Sequence, residues 1–228
     1  MEHIKVGEYE IRLMPSAVDR YFYGFARGVV DFINRSYFRI RVVGRENIPS
    51  APFILAPTHR SNLDTLIMGS LYRPRLRYMG KDSLWKKKFA GEVLSALGGF
   101  PVSRGTADRE ALNACVAVLK AGQPLVLFPE GTRREGDRVE DLLDGAAYIG
   151  IKTGVPIIPI GIAGSDRAMG KGVKIPLPKR CVVVIKPPIN TLIGGQVAAK
   201  VPRSKVNDIT NELENAMQEA YDEAKFRL

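Results

Sequence analysis

Short apolar runs that alternate with longer stretches of helical periodicity leave this chain few folds to choose from. The runs cover 39–43, 53–56, 76–79, 100–102, 125–128, 157–160 and 182–186, and the helical stretches cover 61–72, 83–97, 107–121, 138–152 and 204–225. A parallel strand pair needs a crossover of helix length, so this alternation predicts an α/β fold with a mostly parallel central sheet flanked by helices. Ahead of the first run, residues 16–37 set Val18, Tyr21, Phe22, Phe25, Val29, Ile33 and Tyr37 at helical spacing, with Arg20, Arg27, Asp31 and Arg35 between them. That is an amphipathic helix with an aromatic-rich face. The expected organisation is one domain over 1–228. It has an N-terminal helical region (1–38), an α/β core (39–190) and a C-terminal stretch (191–228) whose Ile209, Leu213, Met217 and Tyr221 read as a helix packed on the body.

Composition narrows the class further. With 228 residues, 45% of them hydrophobic and 25% charged, the chain can build a core unaided and is neither disordered nor fibrous. Lys and Arg outnumber Asp and Glu by 34 to 24, a net charge of +10 that favours an anionic partner: nucleic acid, an acidic membrane, or phosphorylated small molecules. Two distant cysteines, Cys115 and Cys181, argue against a disulfide-stapled secreted domain and a thiolate zinc site, and no metal cofactor is expected. No stretch approaches the ~18 apolar residues of a membrane span. The longest candidate, 155–164, is broken by Pro156 and Pro159, and the first residues lack a signal-like apolar core. A cytoplasmic protein is the expectation.

In open α/β sheets ligands bind beyond the carboxyl ends of the strands, so the segments after 53–56, 100–102 and 125–128 are where chemistry belongs. The first holds His59 in Pro-Thr-His-Arg-Ser-Asn-Leu-Asp-Thr, with Asp64 five residues on. If Ser61 or Asn62 caps a helix there, the imidazole can swing back towards Asp64. A carboxylate on one ring nitrogen fixes the tautomer and leaves the other free as a general base. Alternatively, Asp64 is only a first-turn acid favoured by the helix dipole.

Three further segments follow in order: Gly-Gly-Phe-Pro-Val-Ser-Arg (98–104), Phe-Pro-Glu-Gly-Thr-Arg (128–133) and Val-Pro-Ile-Ile-Pro (155–159). Together with His59 and Asp64, their order and spacing resemble the four motif blocks of the glycerolipid acyltransferases, the family that includes bacterial acylglycerol-phosphate acyltransferases. The resemblance covers roughly residues 40–190 and implies acyl transfer to the free hydroxyl of a lysophosphatidate-type acceptor. The donor would be acyl-CoA or acyl carrier protein, with no cofactor. His59 would be the general base and Asp64 its partner. Arg104, Arg133 and, by a looser match, Lys81 would bind the acceptor phosphate, and Glu130, Gly131 and Thr132 would shape the acceptor site. Read as residues alone, Arg104 could cap a strand end, Glu130 could hold its own loop together, and Pro156 and Pro159 could be strand punctuation. The resemblance also implies the same chemistry on another lysophospholipid or on glycerol 3-phosphate. Three positions depart from the family pattern: Thr58 before the histidine, Ser103 before the arginine, and Arg134 after the third block.

A thioester donor needs no protein nucleophile, and the chain has no Gly-x-Ser-x-Gly elbow. A lipid acceptor does need a docking surface. Helix 16–37 offers one, and Leu84, Trp85, Lys86, Lys87, Lys88 and Phe89 offer another of interfacial type, within a stretch (73–104) of eight basic and two acidic residues. The expected location is peripheral, on the inner face of the cell membrane. Plain packing of helix 16–37 on the sheet, or a solvated lysine face with Trp85 turned inward, are the simpler alternatives. A non-catalytic basic module on lipid or nucleic acid is the rival from another class. The nucleic-acid version needs basic residues interleaved with exposed aromatics or a recognition helix, for which residues 84–89 alone are thin support, so no nucleic-acid partner is expected.

Overall fold

The computed structural model describes residues 3–6, 9–13, 15–102, 109–170, 172–173 and 175–228. A mixed sheet of seven strands forms its centre: β3 (Arg41–Val43), β4 (Ile54–Pro57), β5 (Arg77–Lys81), β6 (Gly99–Val102), β7 (Leu125–Val126), β8 (Ile157–Ala163) and β9 (Val182–Ile185). Their spatial order is β3-β9-β8-β4-β7-β5-β6. Every pairing is parallel except β8 with β9. The α/β fold is therefore as the sequence predicts, with one antiparallel junction that runs of apolar residues could not reveal.

The inner strands β4, β7, β8 and β9 are apolar and buried along their whole length because both of their faces are covered. On one face, Ile54, Ala56, Phe100, Leu125, Ile157, Val182 and Val184 join α4 (Arg109–Lys120), α5 (Gly145–Thr153) and α7 (Arg203–Phe226). On the other, Phe53, Leu55, Val126, Ile158, Ile160, Ile162 and Val183 join α2 (Leu63–Leu71). The alternation between the two sets is the period of two that a pleated strand imposes. Gly161 lets α7 lie directly on β8: a Cβ there would sit 2.2 Å from the Ala220 carbonyl carbon and 2.3 Å from the Tyr221 nitrogen. α3 (Lys88–Ala96) and α6 (Ser165–Met169) complete the helices after α1 (Ala17–Ser36).

Three expectations need correction. Residues His3–Val6 and Tyr9–Arg12 pair as an antiparallel hairpin, β1–β2, inside what the sequence reading took as an N-terminal helical region (1–38). The helix expected over 138–152 begins only at Gly145, because tertiary hydrogen bonds to Val139 and Leu143 hold the preceding segment irregular. Trp85 is not an exposed anchor. It lies half-buried in a 3₁₀ turn (Asp82–Trp85), packs on Gly80, Gly91 and Gly99, and donates its indole N–H to Ser95 Oγ at 2.9 Å.

α1 is inverted relative to an ordinary packed helix. A capping box between Ser16 and Asp19 starts it, with Arg12 on the same carboxylate at 2.8 Å. Burial would raise the Asp19 carboxyl, but the Ser16 N–H and hydroxyl together with Arg12 hold it below its ordinary value. The buried residues of α1 are polar, Asp19 and Asn34, whereas Tyr21, Phe25 and Phe32 are 82%, 73% and 71% exposed. Val18, Val29 and Ile33 continue the exposed stripe, and Leu84 and Phe89 stand exposed near Lys86–88.

Candidate active site

Strand β4 ends at Pro57, and the chain turns through Thr58–Asn62 into α2. Thr58 is wholly buried and ties this turn to the sheet: its N–H reaches Ile160 O (2.9 Å) and its hydroxyl accepts from Ile162 N (3.0 Å). Ser61 Oγ accepts the N–H of Leu63 (3.1 Å), which satisfies one of the free amides at the helix start.

Asp64 sits in the first turn of α2, fully buried. Its Oδ2 accepts from the His59 imidazole Nδ1 (3.0 Å) and from the backbone N–H groups of Arg60 and Ser61 (2.7 Å each). The helix start thus stabilises the carboxylate, and the carboxylate orients the ring. Phe128, at the end of the segment after β7, stacks on the imidazole with centroids 4.1 Å apart. With Nδ1 bound and one ring face covered, Nε2 remains, and among the described residues it has no hydrogen-bond partner. The arrangement is that of an oriented base.

Glu130 is placed as its simpler reading expects, tying its loop to the turn. It is 2% exposed, and its oxygens face inward: Oε1 accepts the His59 N–H (3.1 Å) and Oε2 pairs with the Arg60 guanidinium. Burial raises the Glu130 carboxyl, and Arg60 followed by the His59 N–H works against that rise. Arg60 also donates to Arg138 O (2.9 Å) and lies over the Tyr221 ring (5.1 Å). The sequence reading passed over Arg60, Phe128 and Tyr221 as site residues. An arginine beside the histidine was the one local signal; its partners lie 70 residues or more away.

The remaining candidates lie around this turn. Gly131 has φ +66, and a Cβ there would meet Leu143 Cδ1 at 2.6 Å, so the bend after Glu130 requires glycine. Thr132 and Arg133 follow, both exposed, and Arg134 N–H binds His59 O (2.9 Å), drawing the loop onto the turn. Lys81 ends β5, exposed, and pairs in register with Val102 of β6. β7 separates β5 from β4, which puts Lys81 about 10 Å across the sheet from the histidine strand. Arg104 lies outside the described residues. Among those described, no group of three His, Cys, Asp or Glu could hold a metal ion.

A cavity of about 250 Å³ opens beside the first turn of α2, lined by Thr65, Leu66 and Gly69 of α2, by Tyr23 and Val30 of α1, and by Tyr78, Leu94 and Leu97. Its walls are almost wholly apolar.

Residues 39–163 match the sequence profile of the family described as Acyltransferase. The chain belongs to that family. Its sequence is similar to the 1-acyl-sn-glycerol-3-phosphate acyltransferase LPAT1, chloroplastic, of Arabidopsis thaliana (30% identity over 140 residues, 60% of this chain and 39% of that protein). It is also similar to the 1-acyl-sn-glycerol-3-phosphate acyltransferase of Bacillus subtilis (30% identity over 127 residues, 55% of this chain and 63% of that protein). The acyltransferase match thus spans about 40% of the chloroplast relative's length. The fold is that of the 1-acyl-sn-glycerophosphate acyltransferase PlsC from Thermotoga maritima, with TM-score 0.72 and 23% identity over 90% of this chain and 82% of that one. In this chain the turn of His59 and Asp64 and the segment 128–133 meet at the carboxyl ends of β4 and β7, whereas 155–159 enters β8 at the opposite, amino end of the sheet.

Proposed function

We propose that this acyltransferase moves a fatty acyl chain from a CoA or carrier-protein thioester to the free hydroxyl of a lysophosphatidate-type acceptor, with His59 as general base and Asp64 as its partner. The observation that carries the proposal is the His59 Nδ1–Asp64 Oδ2 bond at 3.0 Å, made by a wholly buried carboxylate and leaving Nε2 unpartnered among the described residues.

His59 Nε2 takes the hydroxyl proton as the acceptor oxygen attacks the thioester carbonyl. The imidazolium so formed is stabilised by Asp64. The tetrahedral adduct collapses, the C–S bond breaks, and the thiolate recovers the proton. No cofactor or covalent enzyme intermediate enters this balance. Arg133 and Arg104 grip the acceptor phosphate, since a guanidinium fork matches phosphate oxygens, with Lys81 adding charge. Gly131 and Thr132 shape the acceptor loop. The apolar cavity beside α2 takes acyl chain.

The reaction belongs at an anionic membrane on the cytoplasmic side, the source of the acceptor. Among the described residues no helix is long and apolar enough to cross a membrane, yet none of them covers the exposed stripe of α1. Each of its aromatic side chains would gain roughly 1.5–3 kcal/mol on leaving water. Leu84 and Phe89, with Lys86, Lys87 and Lys88, extend that contact to anionic headgroups.

Thiol release from acyl-CoA, measured against lysophosphatidate regioisomers, other lysophospholipids and glycerol 3-phosphate, tests the assignment. Turnover that requires a lysophosphatidate supports it. Turnover only with another phosphorylated acceptor moves the assignment to that acceptor. Release independent of every acceptor, or none from either donor on anionic vesicles, overturns acyl transfer and favours a binding role.

A further inference from the structure

The segment 127–144 joins β7 to α5 without helix or strand, and it carries Gly131, Thr132 and Arg133. Long irregular loops inside compact domains are held by specific ties or else move. Beside the Arg134 N–H on His59 O and the Leu143 N–H on Pro129 O, a further set of ties comes from one face of α7. The side-chain amide of Gln218 grips the loop backbone on either side of Arg138: Val139 N–H donates to Oε1 (2.8 Å), and Nε2 donates to Asp137 O (3.1 Å) and to Asp222 Oδ1 (3.0 Å). Three residues on, the Tyr221 ring lies under Arg60, whose guanidinium donates to Arg138 O. Four residues further, Lys225 Nζ meets Asp137 Oδ2 at 2.7 Å. Positions 218, 221 and 225 share a helix face, so α7, the loop and the His59 turn meet at one point.

We infer that Gln218 is a positioning residue for the acceptor: by fixing the loop backbone around Arg138 it holds Arg133 where the acceptor phosphate binds. This inference rests on the acyl-transfer reading above. The Lys225–Asp137 pair cannot do the same work, because the Asp137 side chain is 72% exposed and such pairs contribute little. The two amide bonds to backbone are directional and define the loop's path. None of the contacts that orient the imidazole, from Asp64, Glu130 or Phe128, involves Gln218. Its one link to them is indirect, through Arg138 O and the Arg60 guanidinium, so its loss acts first on acceptor binding and not on the His59–Asp64 pair.

The experiment uses the full chain with Gln218→Leu and Gln218→Glu, reading steady-state kinetics and native-state trypsin cleavage after Arg133, Arg134 and Arg138. In Gln218→Leu, the KM for lysophosphatidate rises about 5- to 10-fold, as expected for two lost backbone ties, while kcat and the acyl-CoA KM stay within about twofold. Cleavage in the loop accelerates about 10-fold. Gln218→Glu keeps an acceptor for Val139 N–H and falls between Leu and wild type. Unchanged acceptor KM and unchanged cleavage overturn the inference, as does a fall of apparent kcat and Tm with the acceptor KM unchanged, which marks a merely structural residue. If wild type does not turn over any acceptor, the acyl-transfer reading fails and Arg133 loses its assigned phosphate. The cleavage ratio still decides whether Gln218 holds the loop, and an unchanged ratio overturns that as well.

Discussion

Asp64→Asn is the substitution that separates an oriented base from a buried helix-cap acid. The asparagine carbonyl can still accept the Arg60 and Ser61 N–H groups that now lie 2.7 Å from Oδ2, so the turn and α2 should form. What it removes is the charge facing the imidazole at 3.0 Å. Two unit charges about 4 Å apart at an effective dielectric of about 20 attract by about 4 kcal/mol. That attraction acts on the imidazolium of the transition state and not on the neutral ring, so its loss raises the barrier and lowers kcat by about 10³-fold. The acceptor KM should stay within about threefold. Fold stability should fall by about 1–2 kcal/mol, the worth of a charged acceptor at a helix start. Thiol release under saturating acyl-CoA measures kcat, and a denaturation curve measures stability. A variant that keeps more than a tenth of wild-type kcat would refute the claim that Asp64 supports a proton-bearing His59.

Three other outcomes follow from the same contacts. Glu130→Gln strands the buried Arg60 guanidinium without its counter-charge; the expected loss is about 3 kcal/mol, or roughly 6–12 °C in Tm, and a Tm within 1–2 °C of wild type would contradict it. Arg77 is 1% exposed, and burial, then Arg75, pushes its guanidinium down to about 9 from 12.5. Its folded value is depressed, so the protonated form weakens the fold at pH below about 9, and the penalty fades as pH rises through that value. Arg77→Met should therefore be more stable than wild type at pH 7, with the gap narrowing above pH 9 in chemical denaturation; a less stable variant at pH 7 refutes this. Phe25→Ser with Phe32→Ser should leave Tm unchanged while weakening binding to phosphatidylglycerol vesicles by about 100-fold in flotation, and full binding by the double variant would remove α1 from the membrane contact.

The strands and most helices were legible because an α/β sheet buried on both faces writes its strands as plain apolar runs. His59 and Asp64 were legible for a related reason: five residues span one turn after a strand, so sequence spacing fixes their distance. Where the reading failed or left alternatives open, the deciding partner was far along the chain. Glu130 sits among residues of the acceptor loop, and only Arg60, buried 70 positions earlier, turns its carboxylate inward. Residues 138–144 carry a helical pattern of Val139, Leu142 and Leu143, but Gln218 and Pro129 claim the Val139 and Leu143 amides. The outward stripe of α1 was legible as a docking face, and what the sequence did not show is its cause: a polar pair, Asp19 and Asn34, faces the body and leaves the aromatics outside. Trp85 looked interfacial beside three lysines, yet Gly80, Gly91 and Gly99 open the hollow that receives its ring.

The most direct test of the central claim is the mass of the lipid product formed from acyl-CoA and lysophosphatidate by wild type and by His59→Ala, with the Tm of both recorded. The account predicts a product heavier by one acyl group from wild type, and at least a 10³-fold lower rate from a variant of equal Tm, because no other described group is placed to take the hydroxyl proton. Product formed by His59→Ala at the wild-type rate would contradict it.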